Sequence, residues 1–203
     1  MRGRSGAFAA ERQDVRHTPT DRELIERIFR ELRGQVCWNV SWDPQTNLWI
    51  EFGAPSLYIR EPRASNTRSD RVQRLMRYRL VVPRGAWRLA VWLARWRLAL
   101  RDDAPVSGAL GSNSRRADAL RCLDGQRFVA ATVDRLTGFT RLEFDLGAVL
   151  ELRRFSANEH EEMWSLYRPN DFVLTVRNDG RYKHERATSK GEGRWREHRS
   201  RDA

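Results

Sequence analysis

A nucleophilic enzyme needs a serine, threonine or cysteine within reach of a base, and a third group that orients the base. Of the four histidines, His17 and His198 lie near the chain ends, which leaves His160 and His184 in the interior of the sequence. Cys122 with His160 is the pair to weigh, yet nothing local marks Cys122 as an activated thiolate. His160-Glu161-Glu162-Met163 lacks the second histidine four residues on that closes the ligand set of a zinc-protease helix. Glu143, Asp145 and Glu151 share one hairpin region, and close carboxylates run acid and base chemistry when their environments separate their pKa values. Glu143 and Asp145, however, alternate with Leu142 and Phe144, which is the pattern of a solvated strand face. The glycines at 108–111 and 191–193 have neither the spacing nor the preceding strand of a phosphate-cradling loop. No catalytic constellation, cofactor or metal is expected from these residues, and attention moves to binding.

The net charge is +11, and arginine supplies 36 of the 38 basic residues. The excess is local: residues 60–101 hold 12 basic and 2 acidic residues, whereas the rest of the chain is close to balanced. Such a segment attracts phosphate backbones, an acidic protein surface or an anionic membrane. A GC-rich coding bias explains arginine over lysine more readily than it explains the clustering. Arg68, Arg71, Arg74, Arg77 and Arg79 are the first candidate contacts, and Arg88, Arg95 and Arg97 extend them. Eight tryptophans are the second oddity. Trp87-Arg88 and Arg95-Trp96-Arg97 interleave the two residue types, so Trp92 and Trp96 are candidate aromatic contacts that could stack on bases or anchor a protein interface. The competing reading is that tryptophans in alternating strands are core and that the arginines form a solvated face.

These residues need a scaffold. With 203 residues and 40% hydrophobic content, the chain is long enough to bury a core without metal or disulfide staples. Cys37 and Cys122 are expected as reduced, mostly buried thiols. The first ten residues carry an apolar stretch shorter than a signal peptide uses, and no run approaches a membrane span, so the expected location is the cytoplasm. The expected fold is a single α+β domain over residues 20–186, mostly antiparallel sheet with an N-terminal packing helix and one or two short helices. Residues 1–19 and 187–203 are expected as flexible basic tails.

Thr20-Asp-Arg-Glu23 is a capping box, and Leu24, Ile25, Ile28, Phe29 and Leu32 recur at helical spacing before Gly34. From Gln35 the period becomes two: Val36, Trp38, Val40 and Trp42 share a face, and Leu48, Ile50 and Phe52 resume after a turn at 43–47. Gly53-Ala-Pro-Ser56 separates a third strand, Leu57 to Arg60. Residues 69–78 suit a short helix with Val72, Leu75 and Met76 inward. The stretch 86–101 fits strand or helix, and the strands on both sides that need pairing favour strand. A loop from Ser107 leads to a small helix near 115–123 capped by Ser114. Residues 128–133 and 139–146 read as a hairpin, 149–155 as a further strand and 159–167 as a short helical link. A last hairpin turns at Asn178-Asp-Gly180.

The strings Leu48-Trp-Ile-Glu-Phe-Gly53, Leu57-Tyr-Ile-Arg-Glu-Pro62, Leu123-Asp-Gly-Gln126 and Phe144-Asp-Leu-Gly147 resemble a group of small uncharacterised bacterial proteins, over roughly residues 35–182. Such proteins are loosely similar to the immunity and accessory proteins encoded near bacterial toxins. The resemblance implies a module that binds a protein stoichiometrically and turns over no substrate. The basic charge then asks for a partner with an acidic surface, and nucleic acid held by the arginine-rich segment is the alternative. The oligomeric state is open at this level.

Overall fold

The computed structural model describes residues 21–43, 47–101, 103–108, 112–134, 136–156, 158–188 and 195–196. Its elements in chain order are α1 (Asp21–Leu32), β1 (Cys37–Trp42), β2 (Leu48–Arg60), α2 (Asp70–Met76), β3 (Leu80–Val91), β4 (Ala94–Ala99), β5 (Val106–Ser107) and α3 (Asn113–Arg121), followed by β6 (Phe128–Val133), β7 (Thr140–Phe144), β8 (Val149–Arg154), β9 (Glu162–Tyr167), β10 (Phe172–Arg177) and β11 (Tyr182–Arg186). The fold is α+β, with two antiparallel sheets ordered β1-β2-β3-β9-β10-β11 and β5-β4-β8-β7-β6.

The chain passes between the sheets twice, from β3 to β4 and from β8 to β9. At the first crossing Trp92 and Leu93 interrupt the strand, and the Trp92 amide donates to the Met163 carbonyl over 2.9 Å. At the opposite side Val36 bridges Arg127, tying the β1 edge of one sheet to the β6 edge of the other. The amphipathic face of α1 is buried against both: the Phe29 ring lies 6.0 Å from Trp164 and 5.9 Å from Phe128. Phe52, Phe128 and Phe144 fill the space between the sheets with edge and stacked contacts.

Several sequence expectations change here. Leu57 to Arg60 is the outer half of β2, because a bulge at Gly53–Ala54 bends the strand without ending it. Residues 162–167 form β9, a central strand between β3 and β10, in place of a helical link; four consecutive buried residues, Met163 to Leu166, show why no alternation signalled it. In β1 the register shifts between Trp38 and Ser41, with Asn39 at φ 51°, so Cys37 turns inward and Trp38 leaves the face it was expected to share with Trp42. Cys122 is exposed, since it follows α3 on its open side, whereas burial pushes the Cys37 thiol well above the usual range with help from Asp124. Ser112, not Ser114, caps α3, and Leu75 is 56% exposed where an inward position was expected. The stretch 86–101 is strand, as β3 and β4. Arg196 forms an isolated antiparallel bridge with Tyr182. Thr20 of the capping box, residues 1–19 and the turn residues 44–46 lie outside the described residues.

Candidate functional site

The hairpin of β2 and β3 is longer than the sheet that it belongs to. Up to Phe52 and Trp87 its inner face is core; beyond them, from Gly53 to Gly85, it continues as a two-stranded arm tipped by α2. The bulge decides what the arm presents. Phe52 pairs with Trp87 and Pro55 with Gly85, so Gly53 and Ala54 together oppose Ala86. Gly53 takes φ 76°, the conformation that this bulge assigns to glycine, and its carbonyl accepts the Trp38 indole N–H over 2.8 Å. The extra residue switches the parity of β2, so that Pro55, Leu57 and Ile59 join the face of Val81, Pro83 and Trp87.

That face is bare: Leu57 is 68% exposed, Ile59 52% and Val81 50%, and both prolines are exposed as well. It is the geometric continuation of the core face formed by Trp87, Leu89 and Val91. On the opposite face Arg84 lies over the Tyr58 ring at 3.6 Å, and Arg60 reaches back to donate to the Leu75 carbonyl at the end of α2 over 2.9 Å. The arm therefore has an apolar side and a cationic side.

The tip gathers most of the arginines expected to make contacts. Arg68, Arg71, Arg74 and Arg77 are all exposed, and among the described residues none of them has a carboxylate within salt-bridge distance. Ser69 caps α2 with its hydroxyl on the Val72 amide, which fixes the short helix that carries Arg71 and Arg74. Arg79 is spent on a bidentate pair with Glu61, Nε donating to Oε1 over 3.1 Å and Nη2 to Oε2 over 2.9 Å.

The remaining candidates lie elsewhere. Arg88 stands on the outer face of the first sheet, 3.4 Å from Glu51, and burial followed by the competing pull of Glu51 and push of Arg84 sets its guanidinium below the usual range. Arg95 and Arg97 are on the outer face of the second sheet, where Glu151 holds Arg97, Arg141 and Arg153 at 3.4, 3.5 and 3.2 Å. Trp96 is 1% exposed and packs edge-on against Trp42 at 6.3 Å, so it belongs to the core and offers no contact surface. Trp92 is half-buried, edge-on to Trp49 at 6.0 Å, and lines a shallow cavity of about 260 Å³ on the outer face of the first sheet. Ser165 and Thr175, hydrogen-bonded to each other at 3.0 Å, form its floor, and Lys183 closes one side, tied to Glu162 at 3.0 Å and Glu185 at 3.3 Å. Burial opposes the charge on Lys183, but these two carboxylates outweigh it and raise the ammonium above the usual range.

The apolar strip was not among the sequence candidates. Its signal was the phase break at Gly53–Ala54 between two alternating runs, which splits one strand into two when read without a partner. No group of three or more histidine, cysteine or acidic residues among the described residues is placed to hold a metal ion, and no helix there is long and apolar enough to cross a membrane. No protein-family model, no curated protein and no solved structure matches this chain.

Proposed function

We propose that the chain is a non-enzymatic protein-binding module that acts by stoichiometric capture of a partner with an acidic surface, in the manner of bacterial immunity or accessory proteins. The observation that carries this reading is the contrast between arginines. Arg88 and Arg97 on the two sheets are engaged by Glu51 and Glu151, whereas Arg68, Arg71, Arg74 and Arg77 stand exposed, with no carboxylate within salt-bridge distance among the described residues, on an arm that projects from the body. The planar five-donor fork of arginine suits bidentate recognition of carboxylates, and an exposed, unpaired cation steers association more than a paired one does.

The same observation supports a second reading, in which phosphates take the place of carboxylates and the chain associates with nucleic acid. The two separate in an affinity capture from bacterial lysate, split into nuclease-treated and untreated halves and repeated with Arg71→Gln, Arg74→Gln and Arg77→Gln combined. One dominant protein that survives nuclease and is lost with the triple variant supports protein binding. Material that disappears with nuclease supports the second reading. Identical captures by both chains would refute a role for the arm's arginines in either.

A further inference from the structure

We propose that the cavity beside Trp92 binds a single neutral pyranose sugar, which goes beyond the role assigned to the arm and does not depend on what the arm binds. The register of the first sheet builds the cavity. Trp49, Ala90, Ser165, Thr175 and Lys183 lie in one row across β2, β3, β9, β10 and β11 on the outer face. The three middle side chains are small, and the neighbouring row sets Tyr167, Val173 and Glu185 along one side of them. Trp92, held at the crossing between the sheets by its amide on the Met163 carbonyl, walls the other side. A line of small side chains between large ones leaves a depression of about 260 Å³. That is just under the roughly 300–1,000 Å³ of sites for drug-sized molecules, so it holds one ring with its substituents.

The charges of the lining exclude most ligand classes. Lys183 and Arg186 balance Glu162 and Glu185. The Lys183 ammonium is held by Glu162 at 3.0 Å and Glu185 at 3.3 Å, and it lies 4.8 Å from the centre of the Trp195 ring. An incoming carboxylate or phosphate must therefore displace one of those carboxylates and meets their repulsion. An incoming cation meets Lys183 itself. A wholly apolar molecule would cover these polar groups without giving them partners.

A neutral ring rich in hydroxyls meets none of these obstacles, and the polar groups of the lining suit it. Ser165 and Thr175 satisfy each other with one hydrogen, which leaves the second hydroxyl hydrogen of the pair to donate. Glu162 keeps 43% of its side chain exposed and offers its second oxygen as an acceptor. Glu185 Oε2 is buried with no hydrogen-bond donor among the described residues, an acceptor that the fold itself does not use. Trp92 and Tyr167 add aromatic surface for the C–H side of the ring, so that its hydroxyls turn towards the floor.

An NMR titration of the nitrogen-15-labelled full chain with methyl α-D-glucopyranoside, methyl α-D-mannopyranoside and methyl β-D-galactopyranoside tests this. A ligand of this size implies a dissociation constant on the order of 1–10 mM. With at least one of the three, the Trp92 indole N–H and the Ser165 and Thr175 amides are expected to shift saturably, while the amides of 53–60 and 80–86 stay in place. Sodium acetate and methylammonium chloride are expected to shift none of them. Trp92→Ala is expected to weaken binding about tenfold or more. Glu162→Gln, a milder change at a part-exposed position, is expected to weaken it about threefold by replacing a charged acceptor with a neutral one. The combined Arg71→Gln, Arg74→Gln and Arg77→Gln variant is expected to bind the sugar as the parent does, which separates this site from the arm. No saturable shift with any of the three sugars up to about 100 mM would overturn the proposal. So would a stronger response to acetate or methylammonium, or folded Trp92 and Glu162 variants that both bind as well as the parent.

Discussion

The Gly85 amide donates to Glu51 Oε2 over 2.9 Å, from the strand opposite and at the level where the arm leaves the body. Glu51 is 4% exposed and its other oxygen faces Arg88 at 3.4 Å, so one buried carboxylate fastens the base of the hairpin to the outer face of the sheet. Burial raises its pKa, and the Gly85 amide and Arg88 pull it back in part. Glu51→Ala leaves a part-buried N–H without its acceptor and a half-buried guanidinium without its counter-charge. The expected loss is about 1–3 kcal/mol, read by urea denaturation, and Glu51→Gln, which can still accept the Gly85 N–H, is expected to lose less. Equal losses for the two variants would mean that the amide bond contributes nothing.

Gly85 itself admits no side chain. A Cβ there would stand 2.5 Å from the Phe52 carbonyl oxygen, 2.7 Å from the Phe52 nitrogen and 2.9 Å from the Trp87 oxygen, all backbone atoms that cannot rotate away. Gly85→Ala must push the two strands apart at the bulge, at an expected cost of about 1–3 kcal/mol. Hydrogen exchange is expected to accelerate in 53–60 and 80–86 ahead of the rest of the sheet. A variant as stable as the parent, with unchanged exchange, would show that the strands separate freely at this level.

How much of this was legible in the sequence depends on what fixes each feature. The first helix, the strands on either side of the 133–140 turn and the hairpin at Asn178–Gly180 were readable because local period and turn chemistry determine them. The core role of Trp96 was not separable from a contact role, since alternation tells which residues share a face but not which face is covered. β9 hid because a central strand that is buried on both faces does not alternate. The arm hid for a different reason: its apolar strip differs from a core strand only in what fails to pack on it. The arginines of residues 68–77 stand out by composition alone, but their lack of a carboxylate within salt-bridge distance among the described residues, which separates them from Arg88 and Arg97, is a property of the folded chain.

The two sheets are joined by a buried polar contact as well as by packing. Trp164 Nε1 donates to Thr140 Oγ1 over 2.9 Å, and that hydroxyl donates in turn to the Gly138 carbonyl over 2.9 Å. Thr140→Val preserves shape but strands the indole N–H in the core, where Trp164 is 0% exposed. The expected destabilisation is about 1–3 kcal/mol. Trp164→Phe combined with Thr140→Val removes both partners and should cost less than the sum of the single changes in a double-mutant cycle. Strict additivity would argue that the bond is not formed.

His184 makes stability depend on pH. Its Nε2 lies 3.0 Å from Arg168 Nη1, its ring stacks on Phe172 at 5.0 Å, and burial followed by the positive charges of Arg168, Arg196 and Arg27 depresses its pKa, with Glu31 opposing. A base with a lowered pKa in the folded state binds more protons when unfolded, so stability rises with pH through this window. The contribution is fully present above the ordinary value of 6.5 and is lost as the pH falls through it towards the folded value. His184→Gln is expected to flatten the decline in melting temperature between pH 7.5 and pH 5, which a parallel series on the parent chain measures. Identical slopes would place the decline on other groups.

The distinction between spent and unspent arginines can be tested without any partner. Arg71→Gln, Arg74→Gln and Arg77→Gln remove three cations that have no carboxylate within salt-bridge distance among the described residues, whereas Arg97→Gln, Arg141→Gln and Arg153→Gln remove three that share Glu151 at 3.2–3.5 Å. Each set lowers the net charge by the same amount, so a resin that sensed only total charge would not separate them. A sulfonated resin samples local potential within about a Debye length of the surface, and the field outside the second sheet is already reduced by Glu151, with Glu143 at 2.9 Å from Arg141. The arm set is therefore expected to elute from cation exchange at clearly lower salt than the sheet set. Co-elution of the two would mean that the arm offers no stronger anion-attracting surface than the rest of the chain, and would remove the physical basis for assigning the partner to its tip.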